Sequence, residues 1–133
     1  VIVDGCHIEA VYPINFDGSS GDLVVSNSTL LGWTSFGDGG TATFTNVTFG
    51  NGCGYAFLRP YRDTTLTNCT LKDDFKIGGG KAGMTYTLNN CKLADGTLIT
   101  AGNFESEVAD ATGSDSVIKQ CTIIVDGVTV NWN

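Results

Sequence analysis

Three triplets of one form stand at near-regular intervals: Asn27-Ser28-Thr29, Asn46-Val47-Thr48 and Asn68-Cys69-Thr70. Each matches the N-x-[ST] acceptor pattern for N-glycosylation, a modification that needs an exposed loop. The acids closest to a catalytic or calcium-holding pair are Asp73-Asp74, with Asp17, Asp22, Asp38 and Asp63 at other turn-like positions. Glycan-cleaving enzymes use such carboxylates as acid and base or to hold calcium. Asp also bends and caps turns through its own side chain, and no column of acids forms, so the solvated-turn reading is the stronger. His7 is the only histidine, and a Ser-His-Asp or Cys-His constellation would have to run through that one ring. Nothing completes either, which leaves His7 as an exposed strand residue. The five cysteines include no C-x-x-C, so no zinc pattern exists. GDGG (37–40) and GGGKAG (78–83) lack phosphate-loop spacing and read as turns. No catalytic residue, metal ligand or cofactor is expected.

One segment has different surface chemistry. GNGCGYAFLRPYRD, Gly50 to Asp63, concentrates Tyr55, Arg59, Tyr61 and Arg62 in a chain with 7 Lys and Arg against 14 Asp and Glu. Aromatic residues beside Arg are typical of recognition patches. Together with Trp33, one unit earlier, these four form the candidate ligand-binding set. The competing view has them cover the side of the fold and pair with Asp63.

What positions these residues is a repeat. IVDGCHI, VVSNSTL, TFTNVTF, TLTNCTL, TLNNCKL and VIKQCTI superpose when started at Ile2, Val24, Thr43, Thr65, Thr87 and Val117, at spacings of 22, 19, 22, 22 and 30. One column then reads Gly5, Asn27, Asn46, Asn68, Asn90, Gln120 and the next Cys6, Ser28, Val47, Cys69, Cys91, Cys121. A unit this short cannot bury its own apolar face and must stack on its neighbours as a solenoid. Within a unit Leu66, Cys69, Leu71, Phe75 and Ile77 point inward. The alternation slips at Asn68, which marks a corner, because Asn tolerates the left-handed backbone of a sharp bend. With coils about 4.8 Å apart, inward-turned amides at Asn27, Asn46, Asn68, Asn90 and Gln120 would form a hydrogen-bonded ladder. On this reading the triplets are corners before they are sugar sites. The inward cysteines should be packed thiols, since neighbours on a stack stand farther apart than a disulfide's Cβ atoms; Cys53 lies off that column.

The repeat with its Asn column resembles the right-handed parallel β-helix of the pectate-lyase-like superfamily. Within it the likeness is to repeat-bearing surface proteins and adhesins of Gram-positive gut bacteria. It covers about residues 1–101 and implies architecture more than activity, since this fold carries lyases, hydrolases, adhesins and phage fibres alike. The expected fold is all-β: a right-handed parallel β-helix (β-solenoid) of about six coils, about 22 residues each, in one domain spanning 1–133. Residues 102–116 are expected as an insertion, in which Glu105, Glu107 and Asp110 with Phe104, Val108 and Ala111 form a short amphipathic helix or an ordered loop. TIIVDGVTVNW carries a hairpin signal at Asp126-Gly127, either a cap or the start of another coil.

The charge of −7 excludes a nucleic-acid partner, and no apolar run approaches the eighteen or so residues that cross a bilayer. The opening at Val1 inside a strand suggests a piece of a longer extracellular or cell-surface protein, of undetermined oligomeric state. The expected function is a non-catalytic stalk or adhesive module that binds a glycan or a host surface protein. The alternative is a fragment of a polysaccharide lyase or hydrolase. For that the polygalacturonase motifs are missing, and Phe57-Leu58-Arg59-Pro60-Tyr61 resembles only one segment of pectin methylesterases. A minor alternative is an ice-binding solenoid, on the outward pairs Thr43/Thr45, Thr65/Thr67 and Thr87/Asn89, though Thr is a common residue on the wet face of any sheet.

Overall fold

The computed structural model describes residues 1–16 and 21–133; Asp17 lies outside the described residues. The chain coils into a parallel β-solenoid with three sheets. The first contains β1 (Ile2–Asp4), β4 (Leu23–Ser26), β7 (Ala42–Thr45), β10 (Thr64–Thr67), β13 (Thr85–Asn89) and β15 (Thr122–Val125), all parallel. The second stacks β2 (His7–Glu9), β5 (Thr29–Leu31), β8 (Thr48–Gly50), β11 (Thr70–Leu71) and β14 (Lys92–Leu93). The third stacks β3 (Asn15–Phe16), β6 (Trp33–Phe36), β9 (Phe57–Pro60) and β12 (Lys76–Ile77). Only about four turns are complete on all three sides, not six. After β14 the chain leaves the coil for α1 (Phe104–Glu107) and a 3-10 helix, Gly113–Gln120, which take the place of a further third-sheet strand.

Period-two alternation fills the interior. Val25, Phe44, Leu66, Leu88 and Val125 are in register along the first sheet and at most 2% exposed. Leu30, Phe49 and Leu71 do the same in the second, and Leu58 and Ile77 in the third. Phe36, Phe44, Phe49 and Phe75 run through the core with successive ring centroids 5.9, 5.3 and 5.0 Å apart.

Each first corner has positive φ: 67° at Gly5, 52° at Asn27, 55° at Asn46, 54° at Asn68 and 53° at Asn90. The bend turns the flanking apolar residues inward and leaves the Asn side chains exposed, the reverse of the expected inward ladder. Exposure also removes the ground on which sugar attachment was set aside. The amides bond along the stack in pairs. Asn46 Nδ2 donates to Asn27 Oδ1 at 3.1 Å, and Asn90 Nδ2 to Asn68 Oδ1 at 2.7 Å. Asn27 Nδ2 in turn donates to Asp4 Oδ1 at 3.1 Å. No such bond joins Asn46 to Asn68 among the described residues.

Gln120 does not belong to this column. It ends the 3-10 helix, exposed, and the strand that continues the first sheet is β15, with Leu88 opposite Val125. Asp126 Oδ1 accepts the Asn90 N–H at 2.8 Å instead. The Cys-x-Ile of residues 121–123 mimics the repeat, but the apolar alternation that fits the stack is Ile123 and Val125. β16 (Val128–Thr129) then folds back antiparallel on β15 through Asp126-Gly127, whose φ values of 47° and 80° suit a two-residue hairpin turn.

All five cysteines are free, with Cys69, Cys91 and Cys121 buried and Cys6 and Cys53 exposed. The Cys91 side chain and burial push the Cys69 thiol well above its ordinary value. Cys121 lies one residue before β15, with its Sγ on the Lys81 carbonyl oxygen at 3.2 Å, outside the corner column. The outward threonines are aligned, Thr43 with Thr65 and Thr87, and Thr45 with Thr67, but the first column passes into Val24 and Ile2 at one end and Ile124 at the other.

Candidate functional site

The third sheet carries the most distinctive outer surface. Alternation along β6 buries Thr34 and Phe36 and leaves Trp33 and Ser35 outside; in β9 the outside positions are Phe57 and Arg59. Register puts Trp33 beside Phe57 and Ser35 beside Arg59. The connections entering this sheet supply two more rings. Tyr12 precedes β3, and Tyr55 closes a tight turn in which Gly52 and Tyr55 exchange backbone hydrogen bonds of 2.8 and 3.0 Å across Cys53 and Gly54. That turn needs glycine at position 52, where a Cβ would stand 2.1 Å from the Leu31 carbonyl oxygen of the coil below. Gly32, immediately before Trp33, has φ of 134° and would place a Cβ 2.0 Å from the Ala10 carbonyl oxygen. The glycines therefore let successive connections lie close enough for their aromatic residues to meet.

Tyr12, Trp33 and Tyr55 form a triangle with centroid separations of 5.7, 5.8 and 6.4 Å, and the two tyrosine planes differ by 25°. Phe57 meets Trp33 edge-on at 5.5 Å. Tyr12 and Tyr55 are 49% and 42% exposed. The Arg59 guanidinium lies over Trp33, 4.9 Å from the ring centroid, and makes a two-pronged bond to Asp115, Nε to Oδ1 at 2.8 Å and Nη2 to Oδ2 at 3.1 Å. The Asp115 hydrogen bond raises the Arg59 pKa further, so the guanidinium is permanently charged and its charge is matched locally. The Trp33 indole N–H is shut off from solvent and has no hydrogen-bond partner.

The five candidate binding residues thus divide. Trp33, Tyr55 and Arg59 come together on one shelf. Tyr61 is half-buried on a separate groove of about 290 Å³ with Asp38, Thr41, Lys81 and Met84. Arg62 is no surface group: it is 2% exposed, and its N–H groups reach the carbonyl oxygens of Gly37, Gly21 and Asp38 at 2.8, 2.9 and 3.0 Å. It is drawn inside because the carbonyl oxygens of Gly21, Gly37 and Asp38 converge there, and a guanidinium fork spans several of them. Tyr12, Phe57 and Asp115 are members that sequence reasoning missed. The signal for Tyr12 was its place: like Trp33 and Tyr55, it falls a few residues beyond a second-sheet strand.

The acids gather elsewhere. Asp73, Asp74, Asp95 and Glu107 line a groove of about 390 Å³ with Lys72. Asp73 and Asp74 have φ of 60° and 57°, and Asp73 Oδ2 accepts the Asn51 N–H at 3.0 Å, which is turn chemistry. Asp95 bonds the Thr97 N–H at 2.9 Å, and that bond holds its pKa below the ordinary value. His7 sits on the second sheet, 3.9 Å from Glu9 and exposed. Among the described residues no group of three or more His, Cys, Asp or Glu side chains is arranged to hold a metal ion. Nor is any described helix long and apolar enough to cross a membrane.

No family model, curated protein or solved structure matches this chain. The shelf is therefore read from its own geometry.

Proposed function

We propose that this solenoid is a non-catalytic binding module of a secreted or cell-surface bacterial protein, an adhesin-type stalk that contacts a glycan or surface protein through the shelf on its third sheet. The observation that carries the reading is the convergence of Tyr12, Trp33, Tyr55 and Phe57 from three successive coils, with two rings open to solvent. Exposed aromatic rings on a rigid support lose little conformational freedom on binding and present large contact area, which is why such residues dominate recognition surfaces. The resemblance of the repeat to surface adhesins of Gram-positive gut bacteria supports the extracellular setting. The acidic groove supports catalysis less well, since Asp73 and Asp95 are engaged in turn hydrogen bonds to backbone N–H groups.

The test is retention of the domain on immobilised glycans and surface proteins. The double variant Tyr12→Ala/Tyr55→Ala should lose retention while Asp74→Asn keeps it. Release of unsaturated or reducing sugars from polyuronides, abolished by Asp74→Asn, would overturn the reading in favour of an enzyme.

A further inference from the structure

Resting on the reading of the shelf as the contact surface, we propose that its ligand is a neutral, hydroxyl-rich oligosaccharide stacked on Tyr12 and Tyr55 and hydrogen-bonded to the Trp33 indole. Three independent features converge on that chemistry.

The first is shape. The two tyrosine rings, their planes within 25° of parallel and their centroids 6.4 Å apart, put two half-exposed aromatic rings, each with a phenolic hydroxyl, on one shelf. A pyranose offers the complement, a flat C–H face edged by hydroxyls. A protein partner favours a broader apolar patch, and the other large exposed apolar residues, Val1, Ile2, Val24, Leu98 and Val128, all lie off the third sheet.

The second is charge. An anionic sugar needs an unmatched cation, and the charge of Arg59, the cation on the shelf, is already matched by its two-pronged bond to Asp115. Lys76 is next in the rank beyond Phe57, and its ammonium donates to the Glu107 carbonyl oxygen at 2.8 Å. The surrounding chain carries a net charge of −7, which repels polyanions further.

The third is the orphan donor. The Trp33 Nε1–H is buried without an acceptor, an arrangement native structures rarely leave unexplained. A sugar hydroxyl or ring oxygen would supply the acceptor once the side chains that cover the N–H move aside.

The experiment uses the full chain with Trp132→Phe, which leaves Trp33 as its only tryptophan. Trp33 emission is titrated at low salt with neutral cellohexaose, mannohexaose and galactohexaose, and separately with trigalacturonate and sialyllactose. The expected result is a saturable change with at least one neutral sugar and none with the anionic ones. Tyr12→Ala/Tyr55→Ala, at exposed positions and with an intact coil checked by circular dichroism, should weaken that binding about tenfold or more, the scale of a lost ring-stacking contact. Binding of anionic sugars alone, with the same tyrosine dependence, would overturn the neutral ligand and leave the shelf as the contact surface. Neutral-sugar binding indifferent to both tyrosines would overturn the assignment to the shelf. No response to any sugar would overturn the inference, and retention on surface proteins would then show whether the broader reading stands.

Discussion

Asn68 holds φ at 54°, where an L-residue with an ordinary side chain is strained by about 1–2 kcal/mol. Its amide is exposed and accepts one bond, from Asn90 at 2.7 Å, which contributes on the order of 1 kcal/mol or less. Backbone strain therefore outweighs the side-chain bond. Asn68→Ala should lower unfolding free energy by about 1–2 kcal/mol and Asn68→Gly by clearly less, since glycine enters this region freely. Urea unfolding distinguishes them; equal losses would show that the amide bond, not the bend, is what matters. Arg62 presents the opposite case. It is 2% exposed, and its removal takes away the donors that reach the carbonyl oxygens of Gly21, Gly37 and Asp38. Arg62→Met should cost about 3 kcal/mol or more, and Arg62→Lys should recover little, because one ammonium cannot span the same carbonyls. A loss below about 1 kcal/mol for Arg62→Met would refute the clamp.

At the scale of elements, the 3-10 helix Gly113–Gln120 is tied to β9 by the Arg59–Asp115 pair. It lies close because Gly78 and Gly79 leave room: a Cβ on Gly78 would stand 2.7 Å from Asp115 Oδ1, and one on Gly79 2.4 Å from the Ile118 nitrogen. Asp115→Asn should cost about 1–3 kcal/mol, the range for leaving a charged donor without its partner. It should also speed amide exchange across residues 113–120 while leaving β10 unchanged; uniform acceleration in both would mean the pair has no local role. These elements also mark where the sequence stops being legible. The strands, the Asn corners and the inward set of Leu66, Cys69, Leu71, Phe75 and Ile77 could be read, because each coil repeats one constraint and register errors are exposed by comparison with the neighbours. The excursion after β14 repeats nothing, so its helix boundaries and the true start of the last strand were hidden behind the false match at Gln120. The shelf was half legible. Trp33, Tyr55 and Arg59 stood out by composition, whereas Tyr12 and Asp115 join them only through connection length and tertiary approach, and Arg62 looked like a surface cation because nothing local shows that backbone carbonyls converge on it.

At the scale of the whole molecule the two ends differ. At the C-terminal end β16 pairs with β15, and Phe104, Val108 and Ile118 of the helical excursion are 0% exposed. At the other end Val3, Ile8 and Phe16, the residues that should fill the first coil, are only partly buried, and Ile2 is 80% exposed. A solenoid's stability is close to a sum of unit and nearest-neighbour terms, so in these 133 residues a coil with half-covered apolar residues opens before one whose apolar residues are fully covered. Thiol labelling checks the static part of this picture: under native conditions Cys6 and Cys53 should react with iodoacetamide, and Cys69, Cys91 and Cys121 only in denaturant. Hydrogen exchange checks the gradient. Amides of β1 and β2 should exchange by local opening far below the global unfolding free energy. Those of β10, bonded on both edges to β7 and β13, should exchange only near the global value. The decisive variant is Leu66→Ala, at a position 1% exposed in the middle of the stack, expected to cost about 2–5 kcal/mol. If the solenoid is one cooperative column, that substitution lowers the protection of β7, β10 and β13 together and leaves β1 almost unchanged, since β1 already opens on its own. Protection lost at β10 alone would show coils that open singly and would refute the cooperative column.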